Sequence, residues 1–105
     1  MSTQTIAGYE VHVNEEGFMT EPGEWNKEIA AFLAEQIGIA DLSEEHWQVL
    51  DFLRSDFEEQ GETATLRRVS TIGGVGTKEL YTLFPKKPAR KMAYIAGLPK
   101  PKGCI

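Results

Sequence analysis

Apolar and polar residues alternate at the N-terminus, where Tyr9, Val11 and Val13 are separated by Glu10 and His12. With Thr3–Ile6 and a turn at Ala7-Gly8, this period of two predicts a pair of strands with one buried face. Asn14-Glu15-Glu16-Gly17 supplies a second turn, and Phe18-Met19 predicts a short third strand that Pro22-Gly23 ends. The period then lengthens to that of a helix. Trp25, Ile29, Phe32, Leu33 and Ile37 predict a helix from about Glu24 to Ile37, with Gly38 as its C-terminal cap. Ser43 predicts the N-cap of a second helix, with Glu44 and Glu45 favourable in its first turn. Trp47, Leu50, Leu53 and Phe57 line its inner face, Val49 and Phe52 widen the stripe, and Gly61 closes it. So wide a stripe suits the central helix of a small bundle.

Beyond Gly61 the elements shorten. Thr63 or Thr65 caps a short helix through Leu66, Val69 and Ile72, and Gly73-Gly74-Val75-Gly76 breaks the chain. Thr77 is the expected cap of a helix carrying Leu80, Tyr81, Leu83 and Phe84, which Pro85 ends. Pro88 suits the first turn of a last helix with Met92, Tyr94 and Ile95, stopped by Gly97. The expectation is one α+β domain, predominantly helical. A small N-terminal antiparallel β-meander packs on an array of short helices, residues 1–96 form the body, and residues 97–105 form an extended C-terminal arm.

Composition narrows the function. The 105 residues are 41% hydrophobic, enough for one modest core, and carry a net charge of −5. That balance disfavours a globally basic nucleic-acid binder. No apolar run approaches the length of a membrane span, and the first twenty residues lack a secretory pattern. One cysteine permits no internal disulfide and suits a reducing cytoplasm. The charge is divided along the chain. Residues 1–62 hold fifteen of the sixteen acids and two bases, a net of −13, whereas residues 63–105 hold nine bases and Glu79, a net of +8. Two solvated faces that attract each other would explain this; so would a basic surface that captures something anionic.

The cysteine lies in the basic part. Pro99 and Pro101 stiffen the arm, and Gly103 frees the backbone beside Cys104. Nine extended residues reach at most about 30 Å. Lys100 and Lys102 flank the arm, with Lys86, Lys87, Arg90 and Lys91 before it. Nearby cations favour thiolate, the form that attacks sulfur or carries it as a persulfide. A lone cysteine is often just a small buried hydrophobe, but a penultimate residue after Pro-Lys-Pro-Lys-Gly is a poor core position. Other candidates are weaker. His12 and His46 lack the spacing of a metal site, and His46 suits a structural or surface role in the first turn of the second helix. Gly73–Lys78 lacks the order of a phosphate loop. The adjacent pairs Glu15/Glu16, Glu44/Glu45 and Glu58/Glu59 are expected to be solvated. Neither a serine nucleophile signature nor a cofactor motif is present, so the expectation is no cofactor and no metal.

Ile95-Ala96-Gly97-Leu98-Pro99-Lys100-Pro101 followed by Gly103-Cys104-Ile105 resembles the C-terminal signature of the DsrC/TusE family. Glu16-Gly17-Phe18, Trp25, Leu42-Ser43-Glu44-Glu45-His46-Trp47, Phe52-Leu53-Arg54, Arg67, Leu80-Tyr81, Leu83-Phe84-Pro85 and Pro88-Ala89 extend the resemblance over nearly the whole chain. The family includes the gamma subunit of dissimilatory sulfite reductase and a sulfur-relay protein of tRNA thiolation. The resemblance implies a small β-meander on a helical array with a mobile arm, and a sulfurtransferase-type carrier that holds a persulfide on Cys104. Arg67, Arg90, Lys91, Lys100 and Lys102 would give electrostatic support, and Pro99, Pro101 and Gly103 would shape the arm. Implied partners are sulfur-donor and sulfur-acceptor proteins, such as a sulfite reductase or a heterodisulfide-reductase-like complex, with neither membrane nor nucleic acid. Members acting with sulfite reductase carry a second cysteine eleven positions before the penultimate one. Here that position is Ala93, which points to a single-cysteine, TusE-like or otherwise divergent branch. The segment between Arg67 and Leu80 also reads as several residues shorter than in the family. The alternative is a regulatory, sulfur-sensing member that contacts nucleic acid through short helices near Arg67, Arg68 and Lys78.

Overall fold

A computed structural model of the chain describes residues 2–101. Strands β1 (Ser2–Ile6) and β2 (Tyr9–Val13) pair antiparallel, with Ile6 opposite Tyr9 and Ser2 opposite Val13. The two-residue loop between them places both Ala7 and Gly8 at positive φ, the geometry that matches strand twist in a tight hairpin. Ile6, Val11 and Val13 turn inward onto Met19, Ile29 and Leu33. The expected third strand is reduced to a single bridge between Val13 and Met19. The Asn14 side chain accepts from the amides of Glu16 (2.9 Å) and Phe18 (3.0 Å), so the chain turns too tightly there to run as a ladder.

Helix α1 (Lys27–Gln36) begins three residues later than its periodicity predicts. Asn26 captures the Ile29 amide at 2.9 Å as N-cap, while Pro22–Glu24 form one 3-10 turn. Trp25 is therefore extended rather than helical. Ile29, Ala30, Leu33 and Ala34 form the buried stripe, which leaves Phe32 on the solvent side rather than in the core. Helix α2 (Glu44–Gln60) matches expectation from its Ser43 cap to its left-handed Gly61. Val49, Leu50 and Leu53 are fully buried, with Trp47, Phe52 and Phe57 on the flanks.

Thr65, not Thr63, caps α3 (Leu66–Thr71), and Ile72 points outward instead of packing. Helix α4 (Thr77–Leu83) is preceded by Gly76 as N-cap. Thr77 is its first helical residue, and its hydroxyl donates to Ser70 Oγ at 3.3 Å, so it serves the α3–α4 junction rather than the helix end. Helix α5 (Pro88–Ile95) ends in a Schellman motif. Gly97, at φ +72°, donates to Tyr94 O (3.3 Å), and Leu98 donates to Ala93 O (3.1 Å). That turn directs the chain back onto the body, and Leu98 enters the main core with Leu50, Leu53, Met92 and Ile95. Trp25 and Tyr94 pack against both the main core and the cluster beneath the hairpin.

Candidate functional site

The site grows from the end of α5. Gly97 lies against Trp25 so closely that an added Cβ would fall 2.4 Å from Trp25 Cδ1. Trp25 cannot easily retreat. Its Nε1 donates to Ile95 O at 2.8 Å, and the Arg54 guanidinium stacks 4.2 Å from its ring centroid. Arg54 also donates to Ala96 O and Pro22 O, both at 2.9 Å. One partly buried guanidinium thus ties α2, the 3-10 turn and the end of α5 together. Beyond Gly97, the Thr63 hydroxyl donates to Pro99 O at 2.7 Å, Lys100 reaches Glu16 at 3.3 Å, and Pro101 is buried. The first five residues of the expected arm therefore lie fastened along the body. Lys102, Gly103 and Cys104 lie outside the described residues.

Glu16 joins the arm to α5, accepting from both Lys100 and Arg90 (2.9 Å). Hydrogen bonding from Lys100, then from Arg90, holds its carboxyl below the usual carboxylate range. Glu16 is exposed, as expected of that adjacent pair, and is partnered as well. Beside it opens a cleft of about 520 Å³ lined by Glu16, Phe18, Ile37, Lys86, Lys87, Arg90, Lys91 and Tyr94. Phe18 and Tyr94 meet edge to face at 5.9 Å, and the Arg90 guanidinium lies 5.4 Å from the Phe18 centroid. Burial raises the Tyr94 phenol pKa. Lys91 donates to Pro85 O, while Lys86 and Lys87 are exposed at successive positive φ values of 60° and 52°.

Of the expected electrostatic residues, Arg90, Lys91 and Lys100 gather at this end, whereas Arg67 is exposed on α3 and does not line the cleft. Ala93 is fully buried. Thr63, Trp25 and Arg54 anchor the arm and its root through contacts 36 to 70 residues apart in sequence, so no local pattern reveals that role. His46 is structural: Nδ1 faces Ser43 and Nε2 donates to Leu83 O at 2.8 Å. The ring meets Phe84 edge to face at 5.1 Å. Among the described residues no three His, Cys, Asp or Glu side chains cluster as a metal site, and no helix is long and apolar enough to cross a membrane.

Fold and site define a small α+β domain that fastens the base of its C-terminal segment beside a basic cleft. The chain belongs to the DsrC-like protein family, whose model matches residues 5–105. It is 35% identical over 105 aligned positions to the dissimilatory-type sulfite reductase subunit gamma of Nitratidesulfovibrio vulgaris, covering all of both chains. It is 37% identical to the sulfurtransferase TusE of Escherichia coli K12, covering 93% of this chain and 95% of that one. The crystal structure of dissimilatory sulfite reductase I (DsrI) superposes with a TM-score of 0.86 at 33% identity, over 99% of this chain and 100% of the other. The NMR structure of Allochromatium vinosum DsrC gives 0.79 at 34% identity, over 99% and 98%.

Proposed function

We propose that the chain is a sulfur carrier that accepts sulfane sulfur on Cys104 and passes it to a partner protein. The observation that carries this reading is the family match, which runs through residue 105 and so includes the penultimate cysteine. Relatives named sulfurtransferase TusE and sulfite reductase subunit gamma support the same chemistry. In the loading step the Cys104 thiolate attacks the outer sulfur of a donor persulfide. The donor S–S bond breaks, a new Cys104 S–S bond forms, and the donor departs as a thiolate. Delivery is the same exchange with an acceptor thiolate attacking the carried sulfur, so neither step needs an added oxidant or reductant. Lys102, two positions from Cys104 in sequence, favours the thiolate, whereas the charge of Lys100 is met by Glu16. With alanine at position 93 the chain has no second thiol to displace the cargo, which leaves release to a partner.

Intact and peptide mass spectrometry after exposure to a persulfide donor tests the assignment. The expected result is a reducible gain of one sulfur on Cys104, absent in Cys104→Ser. Equal loading of Cys104→Ser, or an unmodified thiol under conditions that load TusE, would overturn it.

A further inference from the structure

The cleft between the β2–α1 connection and the N-terminal turn of α5 has a composition that the anchoring of the arm does not explain. Its accessible apolar surface comes from the half-buried Tyr94 and Ile37, backed by the fully buried Phe18, and its rim carries Lys86, Lys87, Arg90 and Lys91. Two of the four cations are committed, Arg90 to Glu16 and Lys91 to the Pro85 carbonyl. Among the described residues Lys86 and Lys87 have no acidic partner, and both stand exposed. Both adopt the left-handed conformation, which glycine or asparagine reaches at lower cost. Strain of this kind on bulky residues is typical of ligand clamps and switch regions.

We infer that this cleft is the docking surface for an acidic, amphipathic peptide segment of the partner protein, with carboxylates on Lys86 and Lys87 and an apolar side chain on Ile37 and Tyr94. The inference deepens the sulfur-carrier reading by giving the chemistry of the partner. Charge complementarity selects the occupant. The rim is cationic, but residues 1–62 carry −13, so a long polyanion such as RNA meets repulsion from the rest of the molecule. A short acidic segment bound at the rim avoids most of that field within a Debye length of about 8 Å. Position supports it too. Lys100 touches Glu16 on the cleft wall, and a span of four residues covers at most about 13 Å. A partner seated here would hold its own cysteine within reach of Cys104, raising the effective concentration for exchange.

The test uses the full ¹⁵N-labelled chain and a synthetic peptide alternating Asp or Glu with Leu. The expected result is saturable shifts of the Phe18, Lys87, Arg90, Lys91 and Tyr94 amides, weakened at least tenfold in Lys86→Glu/Lys87→Glu and by high salt. A peptide with Asn and Gln in place of the acids should leave those signals unmoved. Cys104→Ser should still bind the peptide on the same residues, so failure of docking is separable from failure of carrier chemistry. No shifts at millimolar peptide, shifts on another face, or an equal response to the neutral peptide overturn the inference. So does preferential binding of tRNA, or perturbation of residues 102–105 by the double variant without peptide, which would make the chain's own C-terminus the occupant.

Discussion

Replacing Gly97 by alanine separates two costs that the fold imposes on the root of the arm. Gly61 and Gly97 both follow helices in the left-handed conformation, at φ +74° and +72°. Nothing lies within 4 Å of a Cβ built on Gly61, whereas one on Gly97 would fall 2.4, 2.8 and 2.9 Å from Trp25 Cδ1, Cγ and Cβ. Gly61→Ala should therefore show the backbone penalty alone, about 1–2 kcal/mol. Gly97→Ala should add overpacking, because Trp25 is held by Ile95 O and Arg54. With about 1–3 kcal/mol for that, the total is roughly 2–5 kcal/mol. In a domain of this size the difference reads as a melting temperature lower by roughly 10–25 °C for Gly97→Ala, against roughly 5–10 °C for Gly61→Ala. Urea denaturation followed by tryptophan fluorescence supplies the free energies. In a Trp25→Ala background, which removes Cδ1 and Cγ and keeps Trp47 as reporter, the excess cost of Gly97→Ala over Gly61→Ala should shrink. Wild-type-background values within about 0.5 kcal/mol of each other would refute the reasoning, since the indole would then be free to move.

Three further outcomes are expected. Arg54→Ala deprives two carbonyls of their donor and the indole of its cation, costing about 2–4 kcal/mol by denaturant titration, and Arg54→Lys recovers only part because it lacks the planar fork. His46→Ala removes both the Ser43 capping contact and the Leu83 carbonyl's donor, costing about 2–4 kcal/mol, and hydrogen exchange should quicken at the start of α2 and the end of α4. Hydrogen bonding to Glu24 raises the His12 pKa, and the His12 amide and ring lower that of Glu24. His12's contribution is full below its ordinary value of 6.5 and fades as pH rises through the folded value; Glu24's is full above 4.5 and fades in acid. The melting-temperature loss in His12→Ala should thus be greatest near about pH 5.5 and shrink at alkaline pH and in high salt.

Most of the elements, and the family, were legible from the chain by itself because their determinants are local. The period of two from Tyr9 to Val13, the Ser43 cap, Gly61 and Pro88 each act within a few residues. The closing Gly97-Leu98-Pro99-Lys100-Pro101 and Gly103-Cys104-Ile105 likewise pointed to sulfur chemistry as a contiguous string. Where local signals competed, the reading failed by a few residues. Asn26 outbid Glu24 as a helix start, and Asn14 drew Phe18 out of a strand. The root of the arm was decided only in three dimensions. Leu98 is a core residue because the Gly97 turn aims it inward, Thr63 is an anchor because Pro99 passes it, and Glu16 is a clasp because α5 and the arm converge there. None of these partners is a sequence neighbour. Charge and hydrophobicity along a chain report how much attraction is available, and only packing assigns it to particular pairs.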